Sequence, residues 1–153
     1  LWTVRHRWAN GARFAFNCYR HASQLVLRVR GEACHIIQSK EGVTQGDPLS
    51  MVIYGLALTP LAESLRRSVP SVVQPWYADD AAMAGPLSGI AVAMRLLERE
   101  GPARGYFPEP AKSILISEES LSEKSTKELA EFSFRRAEGQ RYLGGFIGSD
   151  EAR

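Results

Sequence analysis

The chain has 153 residues, of which 19 are Lys or Arg and 17 are Asp or Glu, so its formal net charge is +2. Hydrophobic residues make up 44% of it, which excludes an intrinsically disordered chain and is enough for one compact unit with a sizeable core. The small charge does not by itself indicate a nucleic-acid partner, and no apolar run is long enough to span a membrane.

The N-terminal part of the chain predicts two helices followed by a β-hairpin. Residues 1–9 predict a helix that Asn10-Gly11 ends with a turn, and residues 12–22 predict a second helix. Residues 25–29 and 34–39 are rich in aliphatic side chains and predict two paired strands.

A long apolar stretch follows the segment from Gly42 to Pro48. Asp47 suits the N-cap of a helix and Pro48 its first position. The helix is predicted to run from residue 49 to about residue 67, to end at Val69-Pro70, and to be buried because it is apolar on most sides. Gly46 would let a ligand approach the backbone, and a helix N-terminus favours a phosphate. A good helix start without any ligand explains the same residues.

Two adjacent carboxylates, Asp79 and Asp80, are the most informative feature of the chain. Short apolar runs flank them, which predicts a hairpin over residues 72–84 with the acids at its turn. Clustered carboxylates in such surroundings are commonly compensated by a divalent cation, and Mg²⁺ binds one or two carboxylates together with substrate phosphates. The pair therefore indicates metal-assisted phosphoryl or nucleotidyl transfer. A solvated acidic turn is the alternative.

The C-terminal half predicts further helices and strands. Ser88 is predicted to cap a helix that runs to about residue 100. Residues 112–117 predict a strand, residues 121–132 a short helix, and the segment from about residue 134 a hairpin that turns at Gly144-Gly145. Strands interspersed with covering helices predict an α+β fold in a single domain.

Four segments in register resemble the palm of reverse transcriptases, over roughly residues 12–148. Two of the segments are specific. The first is Gln45-Gly46-Asp47-Pro48-Leu49-Ser50, whose form is closest to that of non-LTR retrotransposon and group II intron enzymes. The second is Tyr77-Ala78-Asp79-Asp80, which resembles the catalytic motif. The other two are weaker: Lys112-Ser113, and Tyr142-Leu143-Gly144-Gly145-Phe146-Ile147-Gly148. The resemblance implies a palm-type sheet of antiparallel strands covered by helices on one face.

The resemblance also implies an activity, which is RNA-templated DNA synthesis. A primer 3′-hydroxyl would attack the α-phosphate of a deoxynucleoside triphosphate, with two Mg²⁺ ions, or Mn²⁺ in their place, in the complete enzyme. Asp79 would be the direct metal ligand and Asp80 the supporting one. The implied partners are an RNA template, a DNA primer and deoxynucleoside triphosphates, with no membrane, in the nucleus or cytoplasm if the element is eukaryotic.

Contacts with the substrates are implied for the remaining segments. Tyr77, Ala78 and the residues from Gln45 to Pro48 would contact the nucleotide or template, Lys112 would neutralise the leaving pyrophosphate, and the residues from Tyr142 to Gly145 would grip the primer. Core packing is the alternative for Tyr77 and Leu143, and an exposed charge is the alternative for Lys112.

The chain departs from the family in two places. The family carries a further metal-binding Asp upstream, whereas the first aspartate here is Asp47. We therefore expect residues 1–153 to be one partial domain of a longer retroelement protein, starting after that Asp and lacking fingers and thumb. Alone it would be inactive and poorly soluble. In the lysine segment, Glu109 replaces a common Asn and lies between Pro108 and Pro110.

Two alternative functions remain open at this stage. The missing Asp is compatible with a catalytically inactive relic of a reverse transcriptase that binds RNA or a protein. An RNA-templated RNA polymerase is disfavoured, because that family usually carries Gly-Asp-Asp.

A zinc site fits poorly, because the spacing of the cysteines and their neighbouring histidines matches no standard finger: Cys18, His21, Cys34 and His35.

Overall fold

The computed structural model describes residues 1–28, 30, 34–44, 46–78, 80–117 and 123–149, without the side chains of residues 124–126. Helices and strands are mixed, which confirms the α+β class at a coarse level. The chain divides into two compact units, a first unit of Leu1–Ser64 with Trp76–Ala81 and a second unit of Leu65–Pro75 with Ala82–Arg153. Across the described residues, no helix combines the length and apolarity needed to cross a membrane.

Two consecutive helices open the first unit. Helix α1 spans Trp2–Arg7 and α2 spans Ala9–Tyr19. The predicted turn at Asn10-Gly11 is wrong, because both residues lie inside α2. Gly11 is buried against the indole of Trp8, and a Cβ at this position would come within 2.2 Å of a ring carbon. This glycine therefore makes room for an aromatic side chain at the α1–α2 junction.

The core of the first unit forms where α1 and α2 meet the start of α3, which spans Ser50–Ser68. Its buried centre consists of Val4, Ala15 and Ile53. Half-buried side chains pack around this centre: Trp8, Ala12, Tyr19, Val43, Leu49 and Leu56. Arg7 on α1 also donates two hydrogen bonds, of 2.9 and 2.6 Å, to the carboxylate of Glu63 on α3. The packing joins the N-terminal half of α3 to the first two helices, and the bidentate ion pair joins α1 to its C-terminal half.

Helix α3 ends where the sequence predicts, at Ser68 before Val69-Pro70. Its buried residues follow one stripe: Ile53, Leu58, Leu61 and Leu65. Met51 and Val52 in the first turn are 52% and 47% exposed. The prediction of burial on most sides is therefore wrong, because apolar composition does not tell which face has a partner.

The predicted hairpin between α2 and α3 is confirmed with shifted ends. Strand β1 spans Ser23–Leu27 and β2 spans His35–Ser39, and they pair antiparallel with Val26 opposite Ile36. Five aliphatic side chains on it are each 50–65% exposed: Leu25, Val26, Leu27, Ile36 and Ile37. The hairpin thus exposes apolar groups on both of its faces, since neighbours along a strand point to opposite sides.

The acidic hairpin has two short strands, β3 at Trp76–Tyr77 and β4 at Asp80–Ala81. Beyond them, the arms meet again at a single bridge between Val73 and Ala84. Pro75 lies between the two paired regions, where its carbonyl accepts a 3.0 Å hydrogen bond from the Ala82 N–H. Proline has no N–H to donate to the ladder, which explains why the first arm pairs only on either side of Pro75.

The second unit is built around α4, which spans Leu87–Glu100. Its buried residues are Ile90, Ala91, Ala93, Met94, Leu96 and Leu97. The residue before the helix is Pro86 and no side chain caps it, so the predicted cap at Ser88 is wrong. Helix α5 spans Glu123–Leu129 and lies within the predicted 121–132, of which residues 121 and 122 are outside the described residues.

Strand β5 spans Ile114–Ile116 and is shorter than predicted. Pro110–Lys112 form a 3₁₀ turn before it, so Lys112 is not part of the strand. Strand β5 pairs with β6, Arg135–Ala137, and this pair is parallel. It departs from the predicted sheet of antiparallel strands, because α5 lies between the two strands as a crossover, which parallel pairing requires.

The last hairpin pairs β7, Gly139–Tyr142, with β8, Gly145–Gly148, antiparallel. Its turn is Leu143-Gly144, one residue earlier than the predicted Gly144-Gly145. Both turn residues have positive φ, 47° for Leu143 and 82° for Gly144. A two-residue turn of type I′ requires this conformation at both positions, which explains the shift in register. The described strands pair as four two-stranded sheets.

Candidate functional site

The tip of the acidic hairpin is a tight turn between β3 and β4. Tyr77 pairs directly with Asp80, so a two-residue turn joins the strands. Ala78, the first turn residue, has φ 54°, as the favoured two-residue hairpin turns require at that position. Asp79 lies outside the described residues. The described residues thus form a tight hairpin here, as the sequence predicts, and Asp80 is the first residue of the returning strand rather than part of the turn.

The pairing also determines which side chains share a face. Directly opposite residues of an antiparallel pair project to the same side, so Tyr77 and Asp80 lie on one face of the hairpin and Trp76 and Ala81 on the other. The Tyr77 side chain is 60% exposed, which excludes core packing as its role. The exposed face of the hairpin thus presents an aromatic ring beside a carboxylate.

Exposure changes the argument for a cation at this hairpin. Asp80 is exposed rather than enclosed by the flanking apolar runs. Its carboxylate therefore does not need a cation to compensate for burial. The argument for a cation now depends on accessibility: the Asp80 carboxylate can be reached by water, or by a metal ion that is also bound to substrate phosphates.

The start of α3 is held by a set of hydrogen bonds around Asp47. Its Oδ1 accepts a 2.8 Å hydrogen bond from the Leu49 N–H, and its carbonyl accepts a 2.7 Å bond from the Ser50 hydroxyl. Asp47 therefore acts as a cap, as predicted, because its side chain accepts from a backbone N–H two residues later. The helix itself begins at Ser50, so the prediction that Pro48 is its first residue is wrong, and Asp47 caps the turn that leads into α3. Gly46 before it has φ 89° and is exposed with open space around it, and Gln45 lies outside the described residues.

Sequence reasoning missed one residue of this segment, Tyr19. It is the last residue of α2, and its hydroxyl donates a hydrogen bond to Oδ2 of Asp47. Partial burial and this carboxylate raise the pKa of Tyr19 to about 12. The hydrogen bonds from Tyr19 and from the Leu49 N–H lower the pKa of Asp47. Both carboxylate oxygens of Asp47 therefore have protein partners, across 28 residues of sequence.

The remaining predicted site residues lie in the second unit. Lys112 ends the 3₁₀ turn before β5 and is exposed. Tyr142 and Gly145 are the facing pair that closes the last hairpin, with Leu143 and Gly144 in its turn. Leu143 is 54% exposed, which excludes core packing as its role too.

Positive φ values outside glycine coincide with two of the predicted segments. Among the described residues, Ala78 and Leu143 are the non-glycine residues with positive φ. Such a conformation costs a residue with a side chain roughly 1–2 kcal/mol and tends to be retained where function requires it. Each of the two begins a two-residue turn within a segment that resembles a reverse-transcriptase motif.

The donor set for a metal ion is small in the described part of the chain. There, no three His, Cys, Asp or Glu side chains group closely enough to hold a metal. The exposed Asp80, with Asp79 beside it in sequence, fits an ion that takes most of its ligands from water and phosphate, as Mg²⁺ does. It does not fit an ion that needs an enclosed protein cage.

The hairpin offers an accessible carboxylate and an aromatic ring, and the segment before α3 offers a glycine with exposed backbone. Comparison of the chain with protein-family models, with curated proteins and with solved structures finds no match.

Proposed function

We propose that this chain is the palm part of an RNA-directed DNA polymerase encoded by a mobile element, and that the enzyme is longer than residues 1–153. One observation carries the proposal. The hairpin tip, Trp76–Ala81, groups with Leu1–Ser64, whereas the arms on either side of the tip belong to the second unit. The acidic turn and the Gly46–Asp47 helix start, about thirty residues apart, thus belong to the same compact unit.

The chemistry that these residues offer is nucleotidyl transfer. Asp79 and Asp80 would hold Mg²⁺, which when bound stabilises the attacking and leaving oxygens of the displacement. Tyr77, on the same face as Asp80, offers a flat apolar surface to a base or sugar. The open backbone at Gly46 lets a nucleotide or template approach closely. Lys112 would neutralise charge on the pyrophosphate, and the Leu143-Gly144 turn would support the primer strand.

Primer extension on an RNA template by the full-length protein tests the proposal. Asp79→Asn and Asp80→Asn should each lower the extension rate by more than about a hundredfold. Loss of a group that only supports the metal ligands costs up to about a hundredfold, and loss of a ligand should cost more. Glu98→Gln, which neutralises an exposed acid on α4, is the matched control and should leave the rate unchanged. Extension that survives both Asp substitutions would contradict the mechanism.

The second candidate function is a non-catalytic relic that binds RNA or a protein. One observation favours it: both carboxylate oxygens of Asp47 accept hydrogen bonds from the protein, so this acid serves the structure of the segment rather than a metal ion. RNA binding without any extension by the unsubstituted protein would support the relic. Comparing ribonucleotides with deoxynucleotides on the same template separates an RNA polymerase from both.

A further inference from the structure

The segment before α3 is stabilised mostly from within. The Asp47 N–H donates to the Thr44 carbonyl at 3.2 Å, and the Ser50 N–H donates to the Asp47 carbonyl at 3.0 Å. The Leu49 N–H donates to Asp47 Oδ1 at 2.8 Å. All of these bonds connect residues 44–50 with one another, so they fix the shape of the segment but not its position on the rest of the unit.

The hydrogen bond from Tyr19 is different, because its donor belongs to another element. Tyr19 ends α2 and its ring packs against the core of the first unit. Its hydroxyl meets Oδ2, the carboxylate oxygen that the Leu49 N–H does not use. Hydrogen bonds to a charged acceptor are stronger and more directional than those between neutral groups. Tyr19 therefore orients the Asp47 side chain from outside the segment.

Gly46 is the residue that such an anchor would affect most. It is bonded directly to Asp47, has φ 89° and has no neighbouring atom within contact distance of a Cβ built on it. A glycine in open space has few packing contacts of its own to restrain it. Val43 and Leu49 pack against the core on either side of the segment. Between them, the residue bonded to Gly46 that a neighbouring element holds is Asp47, and Tyr19 holds its side chain.

We propose that Tyr19 is a positioning residue for the nucleotide-contacting turn at Gly46, acting through the Asp47 carboxylate. The inference rests on the proposed function, since it assigns a partner to a turn of that site. Without the hydroxyl, the turn keeps its internal hydrogen bonds but loses its anchor on α2. A mispositioned contact of this kind weakens nucleotide binding more than it slows the chemical step.

Steady-state primer extension by the full-length protein tests the inference with two variants and one control. Tyr19→Phe removes the hydroxyl and keeps the packed ring. Asp47→Ser keeps a good helix cap but is too short to reach Tyr19. Tyr106→Phe removes a tyrosine hydroxyl in the second unit and is the control. We expect the first two to raise KM for the deoxynucleoside triphosphate about tenfold, the size of one charge-assisted hydrogen bond, with kcat nearly unchanged.

The thermal unfolding midpoint of each variant separates positioning from general destabilisation. A raised KM in Tyr19→Phe with a midpoint matching that of Tyr106→Phe supports the inference. If Tyr19→Phe fails to fold, the same comparison is made with Asp47→Ser: a raised KM with an unfolding midpoint matching that of Tyr106→Phe supports the inference. An unchanged KM in a folded variant, while Asp79→Asn still abolishes extension, overturns the inference alone. No extension by the unsubstituted protein overturns both the inference and the proposed function.

Discussion

Tyr19 and Asp47 shift each other's pKa in opposite directions, and each shift has a consequence for stability. The pKa of Asp47 is lower in the folded chain than its ordinary value. It therefore contributes stability that is present above its unfolded pKa of about 4 and is lost as the pH falls through the folded pKa. The pKa of Tyr19 is raised from 10.0 to about 12. Its contribution is present below pH 10 and is lost as the pH rises toward 12.

An alkaline titration followed by tyrosinate absorbance should show this shift directly. The difference between the curves of the unsubstituted chain and of Tyr19→Phe isolates Tyr19 among the five tyrosines. Because the neutral hydroxyl is favoured beside a carboxylate, we expect the midpoint of the difference curve near 12. A midpoint near 10 would contradict the hydrogen bond.

Leu143 offers a second prediction at the scale of a residue. Its φ of 47° costs a side chain roughly 1–2 kcal/mol, and it is too exposed for packing to compensate. Leu143→Gly relieves this strain, offset in part by roughly 0.5–1 kcal/mol of glycine chain entropy. We expect urea unfolding to show a net stabilisation of about 0.5 kcal/mol. If Leu143 contacts the primer, the same variant should bind an RNA–DNA duplex more weakly.

The control for Leu143→Gly is Ile147→Gly, which removes an exposed aliphatic side chain from β8 at a residue whose own φ is not positive. Without strain to relieve, it should destabilise the chain by roughly 0.5–1 kcal/mol. Equal destabilisation of both variants would show that the Leu143 turn is unstrained.

At the scale of elements, the junction of α1 and α2 shows why a glycine is not always a turn. Ala would normally stabilise a helix interior by about 1 kcal/mol relative to Gly. At Gly11 the new Cβ would collide with the rigid indole of Trp8, and overpacking costs roughly 1–3 kcal/mol. We expect Gly11→Ala to lower the free energy of unfolding by about 1 kcal/mol, measured by urea titration.

The exposed neighbour Asn10 provides the matched control for this junction. Asn10→Ala changes the same helix without a collision, so helix propensity should stabilise the chain by roughly 0.5 kcal/mol. A stabilising Gly11→Ala would mean that the indole moves freely and that packing at Trp8 is not the reason for the glycine.

Local signals predicted the elements whose causes are local, and missed those whose causes are not. The capping side chain of Asp47 and the end of α3 before Pro70 each depend on neighbours in sequence, and both are confirmed. The partner of Asp47 on α2 and the parallel pairing of β5 with β6 depend on residues far away in sequence. No periodicity within a short window reports such contacts.

The features of the candidate site likewise divide into those with local causes in the sequence and those with distant causes. The two-residue acidic turn was predictable, because apolar runs on both sides of two acids favour a hairpin. The exposure of Asp80, Tyr77 and Leu143 was not predictable, because short runs of aliphatic and aromatic residues look alike whether they face a core or solvent. A side chain can contact a ligand only if it is exposed, so which of these residues can bind one became clear only from the structure.

At the scale of the whole molecule, the hairpin of β1 and β2 carries five exposed aliphatic side chains on two neighbouring strands. Val26 and Ile36 face each other across the strands, 65% and 62% exposed. Among the described residues neither strand pairs with a third strand, so each strand of the hairpin is an edge strand. Exposed, apolar edge strands of this kind promote association. Residues 1–153 should therefore aggregate with increasing concentration, in keeping with the poor solubility expected from the sequence.

Replacing Val26 and Ile36 together with Thr tests whether this hairpin causes the association. Thr keeps a β-branched shape and hence strand propensity, but it removes apolar surface from the exposed face. Light scattering and gel filtration should show a higher concentration threshold for association, with the unfolding free energy changed by less than about 0.5 kcal/mol because neither side chain is buried. Val73→Thr, which changes an equally exposed valine outside this hairpin, should leave the threshold where it was. Equal effects of the two changes would mean that overall surface apolarity, rather than the open edges of β1 and β2, drives association.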